Sequence, residues 1–303
     1  MAFYAQSFAP GDRILTAEAE YAANYVAFLQ MRKRTGVAID VIPSDETGAL
    51  DPVALENMID GRVKLIAVTW VPTNGGLTNP ATAIGRIARR HSIPYLLDAC
   101  QAVGQMSVDV EKLSCDMLSA TGRKFLRGPR GTGFLYVRRA LLQTLEPPMI
   151  DHYGAPWVAR EHYELRPDAR RFETWENNYA ARLGLGAAID YALAIGMDAI
   201  EERCRLLSRR LRDGLSRLPH VTSRDLGRDP SAIVSFTMKD VPAAEVVKRA
   251  GERSIIIGAS EPASTRLDAE RRALPPLVRA SPHYYNTEDE IDGLIALCSD
   301  LAI

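Results

Sequence analysis

A chain of 303 residues, 47% hydrophobic and 25% charged, can bury one large core or two moderate ones. Its net charge of -1 leaves no field to draw in a nucleic acid or an anionic membrane. No run of ~18 apolar residues suits a membrane crossing, and Cys100, Cys115, Cys204 and Cys298 lack CxxC or metal spacing, as expected of reduced thiols in a cytoplasmic protein.

Taken in order, the chain opens on a short aromatic stretch, Met1 to Ser7, without the basic start of a signal peptide. Gly11-Asp12 turns it into a strand from Arg13 to Thr16. Glu20-Tyr21-Ala22-Ala23-Asn24 opens a helix reaching about Arg34. Gly36 to Ile42 alternates and reads as a strand. Asp51-Pro52 starts a helix, because proline suits the first helical position. The β-branched run from Lys64 to Val71 predicts a buried strand, which ends on the loop Pro72-Thr73-Asn74-Gly75-Gly76. Pro80 to His91 follows as a helix with Ile84, Ile87 and Ala88 on one face.

The next segment carries the chemistry. An apolar run from Ile93 to Leu97 ends on Asp98, and a second, Cys115 to Ala120, leads into Thr121-Gly122-Arg123-Lys124. Gly128, Gly131 and Gly133 then introduce a third run, Gly133 to Val137. Two strands thus deliver a carboxylate and a lysine from their C-terminal ends, the edge where open α/β sheets bind ligands. The glycines let backbone pass close to a bulky group. That pairing suits pyridoxal 5'-phosphate: a lysine can form a Schiff base with its aldehyde, and a carboxylate can keep its pyridine nitrogen protonated.

Beyond this, Pro148 to Arg171 has little periodicity and reads as a loop excursion over the site. Ala180 to Ile195 and Asp198 to Leu218 are helices. Strands are expected at Ala232 to Met238, Ser254 to Ile257 and from Leu277 toward His283, with a helix from Ala243 to Ala250. Thr287 and Glu290 form a capping box for the last helix. Strands alternating with helices up to Val137 predict an α/β fold: a mostly parallel sheet with helices on both faces, plus a small α+β C-terminal domain. The expected division is a cofactor-binding large domain at 1–175, a connecting helix at 176–197 and the small domain at 198–303.

Asp98-Ala99-Cys100-Gln101, Thr121-Gly122-Arg123-Lys124 and Gly128-Pro129-Arg130-Gly131 together resemble a known pattern. It is that of the class V aminotransferases of the fold-type I pyridoxal phosphate enzymes: Asp-Gly-Ala-Gln, a spacer, Ser-Gly-His-Lys and Gly-Pro-x-Gly. That group includes cysteine desulfurases and isopenicillin N epimerase-like proteins. The resemblance implies that Lys124 carries the cofactor, Asp98 pairs with its ring nitrogen, and Asn74 and Gln101 bond its phenolic oxygen. Thr121 and Arg123 fall where a serine and a histidine grip the phosphate. Tyr21 falls where a histidine stacks on the ring, which an aromatic face can also cover. Arg279, in Val278-Arg279-Ala280-Ser281, matches the arginine that takes the substrate carboxylate in two parallel hydrogen bonds.

Two departures stand out. Where the family has Gly-Thr after Arg-Phe-Glu, this chain has Trp175-Glu176, so either Thr174 or Asn177 replaces a phosphate contact or the phosphate is held differently. The resemblance also begins late. Family members carry roughly 80–100 further residues ahead of the segment matching Met1, including a phosphate-seating turn at a helix N-terminus. The implied partner is a small amino-acid substrate, and the implied assembly a homodimer. Aminotransferase-type chemistry is the expected reaction, with a C–S lyase or an epimerase as alternatives. The second expectation, of another class, is a truncated, impaired relative acting as a structural subunit. A desulfurase that forms a persulfide on its own thiol is disfavoured, because Gly258 to Pro276, the loop before Arg279, holds no cysteine.

Overall fold

The computed structural model describes residues 1–301. The first part of the chain runs β1 (Arg13–Ala17), α1 (Ala22–Thr35), β2 (Ala38–Ile42), α2 (Pro52–Met58), β3 (Val63–Thr69) and α3 (Ala81–Arg90). It continues through β4 (Tyr95–Asp98), α4 (Val110–Leu113), β5 (Met117–Thr121), β6 (Gly133–Val137) and α5 (Arg139–Leu142). A small hairpin, β7 (Trp157–Ala159) and β8 (His162–Tyr163), precedes α6 (Tyr179–Ile195) and α7 (Met197–Ser216). The rest is β9 (Val221–Ser223), β10 (Val234–Met238), α8 (Ala243–Glu252), β11 (Gly258–Ser260), α9 (Arg266–Arg271), β12 (Leu277–Ala280) and α10 (Glu288–Asp300).

The first sheet has the order β2-β1-β3-β4-β5-β6, parallel throughout except for β6, which returns antiparallel to β5. Its strands are apolar on both sides because both faces are covered. Ile14, Leu65, Ala67 and Met117 pack with Phe28 and Met31 of α1. Their neighbours Leu15, Ile66, Val68 and Leu118 point the other way, onto Ile84, Ile87 and Ala88 of α3. This is the period-2 alternation of a strand, read out as two cores. The fold is therefore the expected mostly parallel α/β arrangement.

Local chemistry sets the helix ends. The Asp51 side chain accepts from the Val53 N–H, with Pro52 at the first helical position of α2. Thr287 and Glu290 form the expected reciprocal cap of α10.

A second sheet, β11-β12-β10-β9, is antiparallel and smaller. Phe236 and Val278 pack there with Leu207, Leu211, Val246 and Leu294 from α7, α8 and α10. Helix α7 ties the two bodies together: Ile200 and Cys204 belong to the first core, Leu207 to Leu215 to the second. The strand expected at Ser254 to Ile257 begins later, at Gly258. Ser254 takes a left-handed turn (φ 61°) at the end of α8. Ile255 and Ile257 then pack on the second core before pairing starts.

Gly104 supports the loop that carries Lys124. Its φ of +94° is a glycine conformation, and an added Cβ would run into the Phe125 carbonyl carbon and stand 2.5 Å from the Leu126 nitrogen. Gly104→Ala is expected to cost about 2–4 kcal/mol, combining left-handed strain with overpacking. Chemical denaturation of the two proteins measures the difference.

Candidate active site

The register of the first sheet places Thr69, Asp98 and Ser119 side by side near the C-terminal ends of β3, β4 and β5. All three lie on the α1 face, by alternation from Ala67, Leu96 and Met117. Thr121 ends β5 on the same face, and the chain then turns through Gly122 to deliver Lys124. A cleft of about 210 Å³ results, lined by Asp98, Cys100, Gln101, Thr121, Arg123, Lys124 and Tyr21. The carboxylate and the amine therefore face one space.

A second cleft of about 340 Å³ continues from it. The two share Tyr21, Thr73, Gln101, Arg123 and Lys124, and the second adds Arg279, Ser281 and His283 from the other body. The expected carboxylate anchor thus meets the expected cofactor lysine across the junction between the two sheets.

Each side chain has a definite setting. Asp98 accepts from the Cys100 N–H at 2.8 Å and from Asn24 Nδ2 at 2.7 Å. Lys124 Nζ stands 5.9 Å from the centroid of the Tyr21 ring. Burial lowers the proton affinity of Lys124, and the charges of Arg279 and Arg123 add to that; Cys100 and Asp98 oppose it. Arg279 sits on β12, and burial lowers its proton affinity also. Among the described residues it has no carboxylate partner, and its buried Nε lacks any hydrogen bond. A buried cation without a counter-ion is costly in itself, so the site is built to receive an anion.

His283 closes the second cleft. Its Nε2 donates to the Phe125 carbonyl at 3.0 Å, and its ring stacks between Phe125 and Tyr285. Burial pushes it down to about 4, so it is neutral near pH 7. Burial also pushes the Cys100 thiol up to about 12, with Asp98 contributing.

The residues fit pyridoxal phosphate. An amine of depressed basicity, a carboxylate on the same cleft and an aromatic face beside the amine are the donor set that this cofactor needs. Arg123 and Thr121 supply a cation and a hydroxyl at the lysine end.

Three expectations meet a different geometry. Asn74 does not line either cleft: it is 5% exposed, and its Nδ2 donates to Thr265 Oγ1 at 3.2 Å. Thr73 occupies the cleft wall instead, 3.5 Å from Gln101 Nε2. The reason is a contact from far along the chain: β3 ends at Thr69, and in the loop beyond it Thr265 of the other body takes the Asn74 amide.

Pro148 to Arg171 does not cover these clefts. Arg171 pins the segment beside α5 by donating to the Leu142 and Leu145 carbonyls at 2.6 and 3.1 Å. Thr174 and Asn177 are likewise engaged locally, with Glu176 and with the Thr174 and Trp175 carbonyls, and neither lines a cleft.

The family profile described as Aminotransferase class-V matches residues 1–294. A probable cysteine desulfurase of Pyrococcus abyssi is 31% identical over 296 residues, covering 97% of this chain and 73% of the relative. The apo structure of a cysteine desulfurase from Thermococcus onnurineus NA1 superposes with a TM-score of 0.91 at 29% identity, covering 97% of this chain and 73% of that one. A cystine C–S lyase complexed with its product cysteine persulfide shares the fold, with a TM-score of 0.87 at 24% identity over 99% of this chain and 78% of that one.

Proposed function

The chain belongs to the aminotransferase class-V family of pyridoxal-phosphate-dependent enzymes, and on that premise we propose that it cleaves the Cβ–S bond of a small amino acid without using a cysteine of its own. The curated relatives are named as cysteine desulfurases, which favours carbon–sulfur chemistry over amino transfer. The observation that carries the thiol-free form is the state of the cysteines. Cys100 lines the first cleft but not the second, where Arg279 stands, and a group held near 12 is a poor nucleophile at neutral pH. Cys115, Cys204 and Cys298 are buried away from the clefts.

The cofactor, when bound, supplies a sink for the electron pair left at the substrate's α-carbon. The protein does the rest. Arg279 holds the substrate carboxylate, and Lys124 Nζ anchors the cofactor and moves the α-proton. Asp98 keeps the ring nitrogen charged, Tyr21 covers one face, and Gln101 with Thr73 stands at the phenolic oxygen. Arg123 and Thr121 hold the phosphate.

The electron count separates the reactions. A desulfurase thiolate takes sulfur and leaves its electron pair on carbon, so alanine forms. In β-elimination the pair departs with sulfur, and hydrolysis of the unsaturated remainder gives pyruvate and ammonia. Loaded enzyme given cysteine, cystine or S-alkyl cysteine is expected to release pyruvate, ammonia and the sulfur fragment in equal amounts. Accumulation of alanine, or of an amino acid made from an added 2-oxo acid, would overturn the proposal.

A further inference from the structure

Glu20 and Asn24 have no part in the chemistry above, yet they touch its centre. Glu20 follows β1, and Asn24 lies in the first turn of α1, so both reach over the ends of β3 and β4. Glu20 is 3% exposed. Its Oε1 accepts from the Tyr21 N–H and from Asn24 Nδ2, each at 2.9 Å. Its Oε2 accepts from the Thr69 N–H at 2.9 Å and from Thr16 Oγ1 at 3.2 Å, and the Thr69 hydroxyl completes the set. No cation forms an ion pair with Glu20 among the described residues.

The same Asn24 nitrogen reaches Asp98 Oδ2 at 2.7 Å. One amide therefore links two carboxylates. Turned over, it would set its oxygen between them, so the network fixes its orientation. Burial raises the proton affinity of Glu20 above the ordinary carboxylate range, and the nearby Asp98 charge adds to this. A buried carboxylate without a cation is a costly thing to keep.

We infer that Glu20 and Asn24 are positioning residues for Asp98: Asn24 fixes the direction of its carboxylate, and Glu20 holds Asn24 in place. The inference rests on Asp98 being the partner of the ring nitrogen. The other titratable groups around the pair are Lys124, Arg123, Cys100 and Tyr21 from the cleft, Tyr95 beside Glu20, and the Met1 amino group and Tyr4, which line a further cavity with Glu20, Asn24 and Asp98.

The test is the crystal structure of cofactor-free wild type and variants together with their affinity for added pyridoxal 5'-phosphate, neither of which depends on turnover. Asn24→Ala should release the Asp98 carboxylate from its single direction and weaken cofactor binding by roughly 10-fold, for one lost charge-assisted donor. Glu20→Gln should do the same to a smaller degree, by letting the Asn24 amide turn. An Asp98 carboxylate in its wild-type direction with unchanged affinity in both variants overturns the inference. Should Glu20→Gln fail to fold, Asn24→Ala decides alone. If the carboxylate turns and the affinity does not change, the assignment of Asp98 to the ring nitrogen is what fails.

Discussion

Lys124→Ala is expected to abolish the visible absorbance of bound cofactor and to lower turnover by at least about 10³-fold. Two losses combine. The covalent tether goes, and with it a proton-transfer group of the kind that contributes ~10²–10⁴ on its own. Restored absorbance or near-normal turnover in the variant would remove Lys124 from the chemistry. The same lysine makes a prediction about stability. Its folded-state proton affinity lies below the ordinary value of 10.5. A base depressed by folding penalises the folded chain at low pH, and the penalty fades as pH rises through the folded and then the unfolded value. Cofactor-free Lys124→Met should therefore melt no lower than the wild type at pH 7. Its advantage should shrink as the ordinary lysine value is approached. A variant that melts well below the wild type at pH 7 would mean that the lysine is held by favourable contacts instead.

Arg279→Leu should separate function from stability even more clearly. Charge-assisted hydrogen bonds to a substrate carboxylate are worth about 1.5–3 kcal/mol, so kcat/KM should fall roughly 10- to 150-fold at least. The folded chain should lose little or gain, because Arg279 is a half-buried cation whose Nε is buried without a hydrogen bond and which has no carboxylate partner among the described residues. Arg279→Lys should recover only part of the loss, since an ammonium cannot form the paired contact. A large drop in melting temperature with unchanged kcat/KM would mark Arg279 as structural.

The sequence made the sheet and its chemistry readable for one physical reason: strands buried on both faces are apolar runs, and their polar terminal residues stand out. Asp98 and Thr121 end such runs, and Lys124 follows three residues on. Tyr21, Gln101, Arg123 and Arg279 line the same connected space as those residues. Loops were harder to read. Asn74 and Thr73 are adjacent and both polar, and what tells them apart is Thr265, 191 residues on, which takes the Asn74 amide. The segment from Pro148 to Arg171 reads as a cover because nothing local gives its direction. What fixes it is Arg171 reaching two carbonyls some 26 to 29 residues away in sequence, a contact that periodicity cannot reveal. Likewise the bridge from Glu20 to Asp98 spans separate elements, although both acids were in view.

The clamp between His283 and Phe125 has a mechanical corollary. Strand β12 bears Arg279, and four residues later the chain bears the imidazole that grips the residue next to Lys124. The two bodies cannot swing apart without first unstacking that ring and breaking its bond to the Phe125 carbonyl. That grip is one of several bonds across the junction, beside Asn74 to Thr265 and Arg271 to Glu18, so the carboxylate anchor and the amine are held at a fixed separation.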